Sequence, residues 1–253
     1  MRIDAHHHLW TIARGDYGWL TPDLAPIYRD FCLSDLAPHL SATHIEGTIL
    51  VQAAPTEAET MFLLDIAENA EVIRGVVGWT DFDADDGVAR IDALAARNLL
   101  VGLRPMVQDI DDDDWLLGPA LTPLLAAMAR NGLVFDALML PRHLPRLLRV
   151  VGRHPDLEFV LDHCGKPRLA AGEIADWQRD IALLAEHPNI VLQIVRAGDR
   201  GGTQLADRGS EPGGGPCPRV LRLSAHAVGK RLAGRQSGGR LCKVARCCRK
   251  PPG

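Results

Sequence analysis

Three observations predict an α/β chain of the parallel (β/α)8, TIM-type barrel class, present in incomplete form. Short aliphatic runs, apolar on both faces, recur along residues 1–191, as strands buried on two sides should. Helix-period segments lie between several of them, which favours parallel βα units over hairpins. A spacing of roughly 25–45 residues suits a barrel of about 250 residues. A doubly wound open sheet is the competing arrangement, but no glycine-rich phosphate turn follows the first run.

The expected strands are Arg2 to His6, Gly47 to Ala53, Ile73 to Trp79, Leu99 to Met106, Leu133 to Leu140, Leu157 to His163 and a last one opening at Ile190, each bounded by Gly, Pro, Asn or Asp. Glu57 to Asn69 is expected to be a helix with Met61, Leu64 and Ile66 to Ala67 on one face. Pro119 to Asn131 and Pro141 to Gly152 have Pro near the first turn and Asn or Gly at the close, the asymmetry of helix ends. Strands one to six and part of the seventh are therefore expected before residue 192.

Composition divides the chain at the same place. Its 253 residues are 47% apolar and 24% charged, ordinary for a globular protein. The net charge of −4 hides a split: residues 1–191 carry −14 and residues 192–253 carry +10. The second part also holds 12 of the 24 glycines, four of the six cysteines and no Phe, Trp or Tyr. Its adjacent Cys247 and Cys248 lack the paired spacing of a zinc site. Two domains follow: a barrel portion, 1–191, and a basic Gly/Arg-rich tail, 192–253, expected to be disordered. The longest apolar runs are far shorter than the ~20 residues of a membrane span. The first ten residues carry Asp4 and three histidines, unlike a signal peptide. A cytoplasmic chain without membrane attachment is expected; its oligomeric state is left open.

Chemistry concentrates at the carboxyl ends of the runs, where barrel enzymes place their sites. In Asp4-Ala5-His6-His7-His8, alternation puts Asp4, His6 and His8 on one face and His7 on the other. Imidazoles two residues apart on one face can grip a metal ion or a polar substrate group, while His7 is read as packing against a helix. Asp162-His163-Cys164-Gly165-Lys166-Pro167 closes the sixth strand. From there His163 can join His6 and His8, and Lys166 can meet a carboxylate or carbonyl oxygen. Cys164 reads as a small apolar residue rather than a nucleophile. Asp111 to Asp114 reads as a solvated acidic turn, since no calcium-loop spacing follows. His39, His44 and His143 show no partner in sequence.

Together with Val51-Gln52-Ala53, Gly75-Val76-Val77-Gly78-Trp79 and Gly102-Leu103-Arg104, these motifs resemble the amidohydrolase-related family, in its sugar-lactonase branch, across essentially all of residues 1–191. The resemblance implies a barrel hydrolase opening a sugar-acid lactone or related cyclic ester with activated water. It implies His6, His8 and His163 as catalytic residues and as ligands of one divalent ion, zinc or manganese, in those members that use a metal. It places Gln52, Arg104 and Lys166 at strand ends facing substrate; Arg104 is equally open to a structural ion pair. The implied partner is a small lactone or carbohydrate acid, with no specific nucleic acid.

The family pattern continues with a Lys-Leu-Ser-Gly strand and a Trp-Gly-Ser-Asp-Trp-Pro strand whose Asp is the usual base or metal ligand. Neither stands here. The degenerate codons of Leu192 to Gly198, read one nucleotide later, permit Cys-Lys-Leu-Ser-Gly-Leu. The same shift over Ala227 to Gln236 permits Leu-Trp-Gly-Ser-Asp-Trp-Pro. The tail is thus expected to be an out-of-frame translation that impairs the enzyme. The alternative is a non-catalytic product whose basic tail holds nucleic acid without sequence preference.

Overall fold

The computed structural model describes residues 2–193. Seven strands form one parallel sheet in chain order: β1 (Ile3–His7), β2 (Gly47–Val51), β3 (Ile73–Gly78), β4 (Leu100–Leu103), β5 (Val134–Ala137), β6 (Phe159–Leu161) and β7 (Ile190–Leu192). Six helices intervene: α1 (Leu33–Thr43), α2 (Glu57–Glu68), α3 (Gly87–Ala95), α4 (Leu121–Arg130), α5 (Leu144–Arg153) and α6 (Ala175–Leu184). This is the incomplete barrel expected from the runs. Of the basic segment only Leu192 and Gln193 are among the described residues. The disorder and out-of-frame readings of the remainder lie outside them.

Each strand buries two faces, so its residues divide between two cores, with a register shift at β4 putting Leu100 and Leu103 in the same one. Leu50, Val76, Leu100, Leu103, Phe135, Phe159 and Leu161 pack outward against the helices in the main cluster. Ile3, Ile49, Val51, Val77 and Val101 form a smaller cluster of their own, filling the barrel as inward residues do. Full burial of each such side chain contributes about 1.5–3 kcal/mol. β4 and β5 approach closely at Gly102, where an added Cβ would lie 2.8 Å from the Val134 carbonyl oxygen.

The helix of residues 57–68 starts where expected, with the Thr56 hydroxyl accepting from the Glu59 backbone N–H at 3.0 Å. Its buried face differs from expectation. Thr60, Leu63, Leu64 and Ala67 are buried, whereas Met61 is 39% exposed. The i, i+3, i+4, i+7 series beginning at Thr60 is the stripe that meets the sheet, and the Thr60 hydroxyl donates to the Trp79 carbonyl at 2.8 Å. The segment expected from Pro141 begins as a 3-10 turn, Pro141–His143, before α5.

His143 has partners the sequence does not reveal. It is buried, its Nδ1 accepts the Leu140 N–H at 3.2 Å, and its Nε2 lies 3.3 Å from Asp113. The acidic run is engaged as well: Asp113 pairs with Arg142 at 2.6 Å and Asp114 with Arg146 at 2.8 Å. That loop is pinned to the start of α5 rather than merely solvated.

Candidate active site

The end of β1 delivers two imidazoles. His7 points away, is buried, and shares a 2.9 Å hydrogen bond with the Thr48 hydroxyl; burial lowers its pKa to about 4. His8 Nδ1 lies 2.8 Å from the Val51 carbonyl oxygen. A carbonyl only accepts, so the proton sits on Nδ1 and Nε2 carries a lone pair. That Nε2 lies 3.0 Å from Nε2 of His6. Burial, helped by the Arg104 charge, keeps the His8 pKa well below its ordinary value.

The end of β6 delivers the other half. Asp162 is fully buried, and its Oδ2 receives Nη1 of Arg104 at 2.7 Å. The same oxygen lies 3.5 Å from His163 Nε2, and Oδ1 lies 3.2 Å from His6 Nδ1. Neither His6 Nδ1 nor Asp162 Oδ1 completes a hydrogen bond. Burial opposes ionisation of Asp162, but His6 and Arg104 outweigh it and hold the carboxyl below its usual range. Asp136 on β5 goes the other way: burial, then the neighbouring Asp162, pushes its pKa well up.

His163 is presented by an uncommon backbone. His163, Cys164, Gly165 and Lys166 have φ of 51°, 52°, 68° and 52°, a short left-handed turn. Each non-glycine residue there costs about 1–2 kcal/mol, and such strain persists only where surroundings hold it. The Trp177 indole donates to the Cys164 carbonyl at 2.7 Å, the Cys164 N–H donates to Gln193 O at 3.0 Å, and Lys166 N–H donates to His163 O at 3.0 Å. The His163 imidazole is 26% exposed, lies 5.0 Å from the His6 ring, and has its pKa lowered to about 4, chiefly by burial. The Cys164 thiol is half-buried with its pKa raised by burial, in keeping with an inert thiol.

The remaining expected residues fall at different depths. Gln52 and Arg104 are buried and hold each other: Gln52 Nε2 donates to Arg104 O at 2.9 Å, and Arg104 Nη2 donates to Gln52 O. Lys166 Nζ donates to Gln108 Oε1, tying the β6 turn to the loop after β4. Sequence reasoning gave no role to Asp162 or Glu59. Alternation from Phe159 and Leu161, both in the outer core, places Asp162 inside the barrel, and that was the available signal. Glu59 accepts from Ala53 N–H at 3.0 Å and Ala54 N–H at 2.7 Å, bracing the loop after Gln52. Burial lifts its pKa to about 7 against the pull of those amides.

His6, Asp162 and His163 each offer one ligand atom, all within 4.8 Å of one another, with His8 joined through His6. Two Nε2 lone pairs at 3.0 Å repel unless a cation or proton lies against both. Unpaired His6 Nδ1 and Asp162 Oδ1 add donors still lacking a hydrogen bond. Imidazoles plus a carboxylate form a donor set suited to zinc or manganese, so the residues fit a divalent metal.

A parallel barrel with a histidine and carboxylate centre at its carboxyl mouth defines a class of barrel hydrolases and their relatives. The chain belongs to the amidohydrolase family, whose Amidohydrolase model matches residues 3–213. An L-fucono-1,5-lactonase of Burkholderia ambifaria is 44% identical over 189 residues, covering 75% of this chain and 65% of the relative. An L-fucono-1,5-lactonase of Burkholderia multivorans is 32% identical over 206 residues, covering 77% and 67%. This chain therefore spans about two thirds of the length of these relatives. A crystal structure of a Burkholderia multivorans amidohydrolase with bound zinc superposes with a TM-score of 0.70 at 32% identity, covering 76% of this chain and 68% of that one.

Proposed function

We propose that this barrel mouth opens the ester of a sugar-acid lactone by adding water to the carbonyl carbon. The convergence of His6, His8, His163 and Asp162 carries the reading, supported by the 44% identity to an L-fucono-1,5-lactonase. His6, Asp162 and His163, with His8 beside them, would hold a divalent ion, which when bound polarises a carbonyl oxygen or lowers the pKa of water. His8 is fixed by Val51 as a neutral donor. His163, neutral because burial lowers its pKa to about 4 and partly open to solvent, would give its one lone pair to the ion, so the proton of the attacking water leaves to solvent. Lys166 stabilises negative charge developing on the carbonyl oxygen. Arg104 keeps Asp162 ionised and Gln52 keeps Arg104 in place, so both serve substrate through the residues they orient. The eighth-strand aspartate that the family resemblance assigns as base lies outside the described residues. No helix among the described residues is long and apolar enough to cross a membrane. The sparse cysteines of residues 1–191, Cys32 and Cys164, both free thiols, support a cytoplasmic setting for the proposed enzyme. The nucleic-acid alternative rests on the tail, nearly all of it outside the described residues.

The test is acid release from a panel of aldonolactones including L-fucono-1,5-lactone, with and without added zinc or manganese, by the chain whose reading frame is shifted after Val191 and by its variants. Turnover lost in His6→Ala and His163→Ala supports the reading. Turnover untouched by both variants overturns it.

A further inference from the structure

Beyond β2 the chain makes two successive peptide planes whose two sides are held by different partners. In a planar trans peptide the N–H and C=O point in opposite directions, so whatever holds the one sets the aim of the other. The Ala53 N–H lies 3.0 Å from both carboxylate oxygens of Glu59, and the Gln52 carbonyl on the far side of that plane accepts from Arg104 Nη2. The Ala54 N–H donates to Glu59 Oε2 at 2.7 Å, and the Ala53 carbonyl opposite it accepts the Trp19 indole at 2.8 Å. Glu59 itself is fully buried in the first turn of α2. Acids are almost never buried so completely unless paired, yet among the described residues its partners are these amides and no cation. Arg104, held by one of the two planes, carries the 2.7 Å bond to Asp162.

We infer that Glu59 is a positioning residue for the histidine centre: it turns both planes so that the Gln52 carbonyl holds Arg104 against Asp162 and the Ala53 carbonyl holds Trp19 of the loop after β1. The result is a row of alternating charge and dipole running from the Glu59 carboxylate through one peptide to the Arg104 guanidinium, the Asp162 carboxylate and His6. Hydrogen bonds in such a row polarise one another, so an amide that donates to an anion accepts more strongly at its carbonyl. An ionised carboxylate only accepts, which matches two N–H groups aimed at its oxygens; a protonated one turns part of that capacity into a donor. The hold on both planes therefore tightens as Glu59 loses its proton, and its pKa of about 7 puts that change near neutrality. The titratable groups facing it from the loop after β1 are Tyr17 and Asp16. Burial pushes the Tyr17 pKa further up, so its hydroxyl stays protonated, and Asp16 is paired with Arg14 at 2.6 Å. The proposed role of the histidine centre gives this arrangement its consequence, and the geometry stands without it.

The experiment follows the side-chain N–H signals of Arg104 and Trp19 by NMR in the full 253-residue chain labelled with ¹⁵N, without metal, between about pH 6 and pH 8. Arg104→Lys and Trp19→Phe assign the signals. Both are expected to shift with a midpoint near 7 in the wild type and to lose that response in Glu59→Gln, which cannot titrate and offers one acceptor oxygen in place of two. The Trp177 indole, bonded to Cys164 O on the other side of the site, should be unmoved by the substitution; a general loss of structure would move all three. Where Glu59→Gln fails to fold, the wild-type Trp19 titration decides alone, since that indole bonds Ala53 O and none of the histidines. A Trp19 signal flat across the range overturns the proposal, as do Arg104 and Trp19 responses that are the same in wild type and variant, or a Trp177 signal that moves with them. Calorimetry with zinc alone at the upper pH is the second measurement, and the variant is expected to bind about tenfold more weakly, the low end for a residue that supports a metal ligand from behind. Equal zinc affinity overturns the link to the histidine centre. NMR responses as expected in a chain that binds no zinc support the role of Glu59 and overturn the metal reading instead.

Discussion

Arg104 and Asp162, at the ends of β4 and β6, form a 2.7 Å ion pair with side chains only 3% and 0% exposed. The pair bridges the ends of the two strands that flank β5, and its carboxylate also lies 3.2 Å from His6 and 3.5 Å from His163. A buried pair contributes little net stability, but removing one partner leaves an uncompensated charge.

Arg104→Met and Asp162→Asn should each destabilise the chain by about 3–5 kcal/mol for Arg104→Met and somewhat less for the amide. The double replacement Arg104→Met with Asp162→Leu should recover much of that loss. Urea denaturation midpoints of the three variants check this; additive losses in the double variant would contradict it.

The three consecutive histidines should separate cleanly in zinc titration. His6→Ala and His8→Ala should abolish tight binding. His7→Ala should retain it, although deleting a buried, hydrogen-bonded side chain costs about 1–3 kcal/mol of stability. Calorimetry with zinc alone, followed by chelator removal, reads the outcome without any substrate.

Glu59 gives a pH dependence whose sign is fixed by its raised pKa of about 7 against an ordinary 4.5. Between those values the folded carboxyl keeps a proton that the unfolded chain has released, so stability falls as pH rises through the window. Glu59→Gln cannot titrate. The stability difference between variant and wild type should therefore shift in favour of the variant from pH 4.5 to pH 7.5, by up to about 3 kcal/mol. A difference flat across that range would show that Glu59 titrates normally.

Trp177→Phe keeps the ring but loses the indole donor to Cys164 O. Stability should fall only by about 0.5–1.5 kcal/mol, whereas zinc affinity, and lactone turnover in the frame-shifted chain, should fall further, because the left-handed turn that presents His163 loses a tether. Equal zinc affinity and turnover in variant and wild type would show that the turn holds without it.

The chain as written is expected to turn over little or no lactone, and one with the reading frame shifted after Val191 to turn over far more. β1 and β7 are the two edges of the described sheet, and a barrel closes its ladder only when every strand is present. Side-by-side assay on aldonolactones decides this; comparable turnover would make the eighth-strand aspartate dispensable.

Local physics made much of this protein legible without coordinates. Runs buried on both faces must be apolar throughout, so β1 to β7 stand out. A period of two in a strand separates His6 and His8 from His7 whatever the rest of the fold does. Chain order also placed His163 and Lys166 at the same mouth as β1, since parallel strands end on one side. What only tertiary structure decided is who meets whom across the barrel. That Asp162 lies against His6 and Arg104 and that Gln52 grips Arg104 depend on the curvature of the sheet and on contacts 52 or more residues apart, and the four left-handed residues that present His163 are held by Trp177 and Gln193 from the following segment. The buried face of α2 was misjudged for the same reason: several helical stripes are apolar enough, and the sheet selects the one beginning at Thr60. Periodicity records which face of an element is buried, but the partner of a buried charge is set by three-dimensional packing, where desolvation punishes every arrangement except the paired one.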